Sequence, residues 1–333
     1  MKIMKIVFIV ILATAIIFLI SCADFNEPTG IEHILEIEKT FPTSGYARDI
    51  YVSDSLLYIA EEQGGFSIYK LEPDSLLLHY QEPQQEVYLI YPVEERNLLF
   101  VYDKGGTDRI CIYDISNPDS LKVMPPITGA TSGIKDMHCL QSIGDSIDIM
   151  WTQSNMFYHG LYTDFWIGFL EELQFPTDLA GFELDSGFIY LAGYQGGFYI
   201  ADRISGNTLS VTDTPGQALA VAIRDDYAYI ADRECGLQVI DISDKSNPFL
   251  LEDANYDIDY GYAQQIDVSG NYLAIAWGGS GVYLFDISNP ANPVYLDSID
   301  DEEIGYTYDA EWYEDRLYVA TRTQVLRLII NDE

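Results

Sequence analysis

An all-β ring of like sheets is the fold class this sequence predicts, and three observations predict it. Five stretches share a short apolar strand that closes on alanine before a turn: Leu57–Ala60, Ile189–Ala192, Tyr229–Ala231, Ala274–Ala276 and Leu317–Ala320. From Ala192 onward the closing alanines lie 39, 45 and 44 residues apart, and Ala60 precedes Ala192 by 132, three such periods. The 26 Tyr and 15 Phe favour strands, and no helix-length amphipathic run occurs. A period of about 40–45 residues holding four short strands is the signature of a β-propeller.

The elements follow in order. Lys2 and Lys5 precede an apolar run, Ile6–Ile20, that is short for a membrane span and suits a signal-peptide core. It ends in Leu19-Ile20-Ser21-Cys22, which resembles the bacterial lipobox. That resemblance implies a lipoprotein signal peptide over 1–21, cleavage before Cys22, and acylation of Cys22 on its sulfur and new amino terminus. The alternative is an uncleaved anchor with an incidental cysteine. Residues 22–30, with Pro28 and Gly30, read as a linker, and 31–333 as a single propeller domain.

Within that domain Ile34–Phe41 alternates apolar and acidic residues, a half-buried strand. The first full repeat runs through Ala47–Val52, Leu56–Ala60, the turn Glu61-Glu62-Gln63-Gly64-Gly65, Phe66–Leu71 and Leu76–Gln81. The second runs from Val87 to Met124. The third, near Ile134–Phe175, is the least regular: Ile147–Trp151 takes the second-strand position, and a longer turn is expected after it. The fourth to seventh begin near Thr177, Gly216, Gly261 and Gly305. The seventh has only three strands, Thr307–Trp312, Arg316–Ala320 and Val325–Ile330, and the spare N-terminal strand supplies the fourth. That pairing closes the ring and covers an open sheet edge. Seven blades result, with six or eight as the alternatives because the third unit is irregular.

A second recurring motif follows the third strand: Tyr113-Asp114-Ile115-Ser116-Asn117-Pro118, Ile240-Asp241-Ile242-Ser243 and Phe285-Asp286-Ile287-Ser288-Asn289-Pro290. Asp and Ser oxygens accept from nearby backbone N–H groups, and Pro stops the ladder, so these aspartates read as turn-builders rather than metal ligands. The units Ala218–Leu251 and Ala263–Leu296 carry these motifs together with Tyr229-Ile230-Ala231 and Gly236-Leu237-Gln238-Val239, and they resemble LVIVD repeats. The resemblance implies a β-propeller in a secreted or surface-attached protein, and it transfers no catalytic residue.

Lys and Arg number 17 against 53 Asp and Glu, a formal charge of −36, which repels a phosphate backbone and argues against nucleic acid. Besides Cys22, the cysteines Cys111, Cys139 and Cys235 fall in separate repeats, so no disulfide framework is expected. No zinc spacing, GxSxG, HExxH or P-loop pattern occurs.

In a propeller, the loops that join fourth to first and second to third strands meet on one face. The candidate ligand-binding residues are therefore Tyr46 and Arg48, Tyr262 and Gln264, and Tyr306 with Tyr308 at the entrances to first strands. The second-to-third loops add Glu61, Glu62, Gln63, Tyr194, Gln195, Asp232, Arg233, Glu234, Trp277 and Arg322. Aromatic rings beside carboxylates, amides and guanidinium groups suit a sugar or a peptide. His138 is the one histidine on an expected inner strand. Calcium could find oxygen ligands at Asp257 and Asp259 or, better, along Asp297–Glu303, though neither has EF-hand spacing. The expectation is a lipid-anchored, non-enzymatic binding or scaffold module for a protein or glycan at the cell envelope. The rival is an envelope hydrolase or lactonase-like enzyme using channel carboxylates, with or without calcium.

Overall fold

A computed structural model describes residues 33–106, 108–125, 132–143, 146–163, 166–258 and 260–331. The expected signal peptide, Cys22, the linker and Asp259 lie outside the described residues. Within them the chain forms seven four-stranded antiparallel sheets, a seven-bladed β-propeller.

After β1 (Leu35–Pro42), the first blade holds β2 (Asp49–Val52), β3 (Leu56–Ala60), β4 (Phe66–Leu71) and β5 (Asp74–Tyr80). The second holds β6 (Val87–Val93), β7 (Leu98–Asp103), β8 (Arg109–Asp114) and β9 (Lys122–Val123). The third holds β10 (Ile134–Ile143), β11 (Ser146–Gln153), β12 (Met156–Thr163) and β13 (Trp166–Gln174). The fourth holds β14 (Phe182–Leu184), β15 (Phe188–Ala192), β16 (Phe198–Asp202) and β17 (Thr208–Thr212). The fifth holds β18 (Ala220–Arg224), β19 (Tyr227–Ala231), β20 (Leu237–Asp241) and β21 (Phe249–Leu250). The sixth holds β22 (Gln265–Ser269), β23 (Tyr272–Ala276), β24 (Val282–Asp286) and β25 (Val294–Ile299). The seventh holds β26 (Thr307–Tyr313), β27 (Arg316–Thr321) and β28 (Gln324–Ile330), completed by β1.

Second strands such as β3, β15, β19, β23 and β27 are continuous apolar runs because both their faces are buried between neighbouring blades. Fourth strands alternate or stay polar because one face meets solvent. Between the fifth and sixth blades, Tyr229, Ile275, Phe285 and Trp277 interlock in one such core.

The ring closes as the spare strand predicts. β1 pairs antiparallel with β28 from Leu35 opposite Ile330 to Pro42 opposite Gln324. Arg327 of β28 then ties Glu38 of β1 to Asp74 of β5, 3.0 Å from the latter. Buried Asp297 accepts the N–H groups of Ile34 and Leu35 at 2.7 and 2.8 Å, so the carboxylate heading the acidic Asp297–Glu303 run is engaged with backbone. Asp300, in the same run, caps the single helical turn Asp301–Ile304 by accepting from Glu303 N.

The third blade departs from expectation. The connection after β11 is short, not longer: Ser154 and Asn155 alone join it to β12, with Ser154 at φ 50°. The strands themselves are long, and Trp151, Tyr158 and Phe169 stack across three of them at 5.0 and 5.8 Å. Aromatic ladders replace the Gly-turn motif there, which is why the repeat was hard to see. The turn-building aspartates behave as read: Asp114, Asp241 and Asp286 accept from Ser116, Ser243 and Ser288 N at 3.0, 2.9 and 2.6 Å.

Candidate functional site

One turn design recurs between second and third strands. Glu62, Tyr194 and Arg233 adopt φ of 46°, 47° and 51°, and Gly278 occupies the same place in the sixth blade at 54°. Each of the three side-chain-bearing residues forms a β-bridge to the start of the next blade, opposite Val87, Ala218 and Ala263. A left-handed non-glycine residue costs on the order of 1–3 kcal/mol and persists where its surroundings hold it. Three blades thus keep a side chain where the sixth uses glycine. Three residues further on, glycine is obligatory: a Cβ at Gly65 would meet Tyr80 O at 2.1 Å, and one at Gly281 would meet Ile299 O at 2.0 Å.

These turns and the first-strand entrances carry a crescent of tyrosines and arginines. The Arg48 guanidinium lies 4.2 Å from the centroid of Tyr308, 5.1 Å from that of Tyr88 and 5.6 Å from that of Tyr46, and it pairs with Glu62. Arg322 sits over Tyr46 at 5.4 Å and Tyr306 at 5.7 Å. Arg233 sits over Tyr262 at 5.2 Å and donates to Gln217 Oε1 at 2.6 Å. Gln264 donates to the Tyr306 hydroxyl at 2.5 Å. Beside them a cavity of about 670 Å³ is lined by Tyr260, Tyr262, Tyr306, Arg322, Glu234 and Asp301.

Of the residues expected on this face, Tyr46, Gln63, Gln195, Glu234, Tyr262 and Arg322 are exposed, and Arg48, Tyr194, Arg233, Gln264 and Tyr306 are half-buried. Glu62 is largely buried beneath Arg48. Glu61, Asp232 and Trp277 are buried outright, contrary to expectation. They share the position just after the closing alanine, where the side chain turns inward and braces the incoming loop. Glu61 accepts the N–H of Ser44 at 2.7 Å. Asp232 accepts from the Thr214 hydroxyl and from Gly216 N, both at 2.7 Å. Trp277 packs on Tyr256 and Tyr283. Burial raises the Asp232 carboxyl to about 6 despite those two bonds.

A second assembly lies on the propeller axis. Asp49, Gln265 and Asp309 each pair with a closing alanine, Ala60, Ala276 and Ala320, and form one tier with Asp136. Two residues on, Tyr51, Tyr91, His138, Glu183, Asp267 and Glu311 form the next tier. Together they line an axial cavity of about 250 Å³. Sequence reasoning missed these acids. The available signal was a carboxylate at alternate positions of an otherwise apolar first strand, as in Asp309-Ala310-Glu311. His138 lines this cavity, as an inner-strand histidine should.

Four of the aspartates staple adjacent blades. Asp49 accepts from Ile90 N at 2.7 Å, Asp136 from Phe182 N at 2.9 Å, Asp267 from Trp312 N at 2.7 Å and Asp309 from Ile50 N at 3.0 Å. Burial pushes Asp267 up to about 6 and Glu183 and Asp309 up to about 7. Burial and then the neighbouring Asp309 hold Asp49 well above the carboxylate range. Glu311 is raised as strongly, by burial and by Asp309, Asp267 and Asp49. Burial lowers the proton affinity of His138, but Asp136 at 3.4 Å and Glu183 outweigh it and the net shift is upward. Six carboxylates, the groups a hydrolase would need, line this cavity, but four accept from the next blade's backbone at 3.0 Å or less and Glu311 accepts from Val52 N at 3.5 Å. Among the described residues no group of three or more His, Cys, Asp or Glu side chains is arranged to hold a metal ion.

No curated protein matches the chain. Its likeness to a solved structure, the computationally designed Ika8 protein, has a TM-score of 0.65 over 90% of this chain and 100% of that one. At 10% identity that likeness concerns the fold alone. The LVIVD repeat model matches residues 44–68, 215–256 and 260–301, so this seven-bladed propeller carries LVIVD repeats in its first, fifth and sixth blades.

Proposed function

We propose that this chain is a non-enzymatic binding module of the cell envelope, tethered by an acylated Cys22, that grips a protein or glycan partner with its tyrosine–arginine face. The observation that carries this reading is the crescent itself. Three of the nine arginines of a chain with net charge −36 lie on this one face, each over tyrosine rings. Stacked guanidinium and phenol groups bind partners that offer both a flat apolar surface and an acceptor group, as sugars and peptides do. Tyr260 and Tyr262 are 67% and 43% exposed beside the large cavity, a cost in apolar exposure that a partner would relieve.

The test is capture from envelope extracts of the source organism by the full chain and by a Tyr262→Ala/Arg322→Ala double variant. The wild type is expected to retain a defined protein or glycan that the variant loses, with melting temperatures unchanged. Equal capture by both would remove this face from the function.

A further inference from the structure

The axial cavity has a chemistry of its own, separate from the face. At its second tier, blades one to three contribute aromatic groups. Tyr51 and Tyr91 lie 4.8 Å apart between centroids and Tyr91 and His138 6.0 Å, and Phe182 of blade four packs on His138 at 4.4 Å. Blades four, six and seven contribute Glu183, Asp267 and Glu311, and blade five presents only Ala220 and Val221, which leaves room. The cavity therefore has an aromatic arc and an acidic arc, and among the described residues its lining holds no Lys or Arg.

The acids differ in how they are held. The four aspartates each accept a backbone N–H at 3.0 Å or less. Glu183 and Glu311 have only long contacts to backbone, at 3.4 and 3.5 Å. Glu311 Oε2 is buried and accepts no hydrogen bond among the described residues. A buried acceptor without a donor is destabilising, more so when charged, so a donor that reaches it is favoured.

We propose that the axial cavity binds a small organic ammonium ion, whose N–H or N–CH₃ groups lie between the Tyr51–Tyr91 wall and the carboxylates of Glu311, Glu183 and Asp267. An aromatic face beside carboxylates is the chemistry that holds such cations. Calcium suits the cavity poorly. It needs six to eight oxygens at about 2.3–2.6 Å around one point, whereas here the acids are distributed around a ring and four are tied to backbone. Protons compete with the cation: protonation of Asp49, Glu183, Asp267, Asp309 and Glu311, all raised by burial, removes negative charge, and protonation of His138, which faces Asp136 at 3.4 Å, adds a positive one.

The experiment is a titration of the full chain, at pH 8 and pH 5, with tetramethylammonium chloride and putrescine dihydrochloride. Sodium chloride and calcium chloride at matched ionic strength are the controls, and melting temperature and titration calorimetry the readouts. One of the two ammonium salts is expected to raise the melting temperature saturably at pH 8, beyond the sodium control, and to bind more weakly at pH 5. Glu311→Gln is expected to weaken that binding about tenfold, while Glu62→Gln on the face leaves it unchanged. Glu183→Gln, a second isosteric change, gives the same answer should Glu311→Gln fold poorly. Shifts no larger than those of sodium, a shift with calcium alone, or undiminished binding by both glutamine variants would overturn the proposal.

Discussion

Asp309 of the last blade accepts the backbone N–H of Ile50 in the first, at 3.0 Å and across 259 residues of sequence. The ring is thus closed twice, by the β1–β28 ladder at its edge and by a carboxylate at its axis. Replacing Asp309 by Ala leaves the Ile50 N–H without an acceptor in a buried place, whereas Asn keeps the acceptor and removes the titrating group. Asp309→Ala is expected to lower unfolding free energy by about 1–3 kcal/mol in urea denaturation at pH 7. Asp309→Asn should be neutral or stabilising, and equal losses in both would show that the bond has no such role.

Stability should fall as pH rises. Glu183 and Asp309 are raised to about 7 and Asp267 to about 6, chiefly by burial. Their unfolded values lie near 4. Between those limits the folded chain binds more protons than the unfolded one, so their contribution is full below about pH 4 and is lost as pH climbs through about 6–7. His138, also raised, has the same sign. Calorimetry at pH 5, 6, 7 and 8 is expected to show the highest melting temperature at pH 5. A flat or rising profile would contradict the assignment of these buried acids.

Trp277 and Tyr262 looked alike in sequence, both aromatic and both near the face. The structure separates them: Trp277 is 1% exposed and Tyr262 43%. Trp277→Ala is expected to cost about 3–5 kcal/mol by chemical denaturation. Tyr262→Ala should change stability by less than about 0.5 kcal/mol while reducing partner capture.

Acylation of Cys22 predicts processing that is sensitive to globomycin. Cys22→Ala should leave an unprocessed chain that carries no labelled fatty acid. Normal maturation of that variant would refute the lipid anchor.

The blade count, strand order and ring closure were legible because they rest on periodicity: closing alanines, turn glycines and the Asp-x-Ser turn recur with the repeat, and one strand is missing where another is spare. Even the boundaries of β4, Phe66–Leu71, coincide with the expectation. The third blade was the exception, since its aromatic ladders carry no repeating turn.

Side-chain direction was decided by the tertiary structure. Glu61, Asp232 and Trp277 sit in loop sequence and would be exposed in any local view, yet the loop that enters their own blade from the preceding one closes over them. Asp49, Asp267, Asp309 and Glu311 are unremarkable acids in a chain of 53 until seven first strands are brought round a single axis. A repeat fixes which positions are equivalent from local chemistry alone. What those positions face depends on contacts between residues hundreds of positions apart, which exist only once the ring has closed.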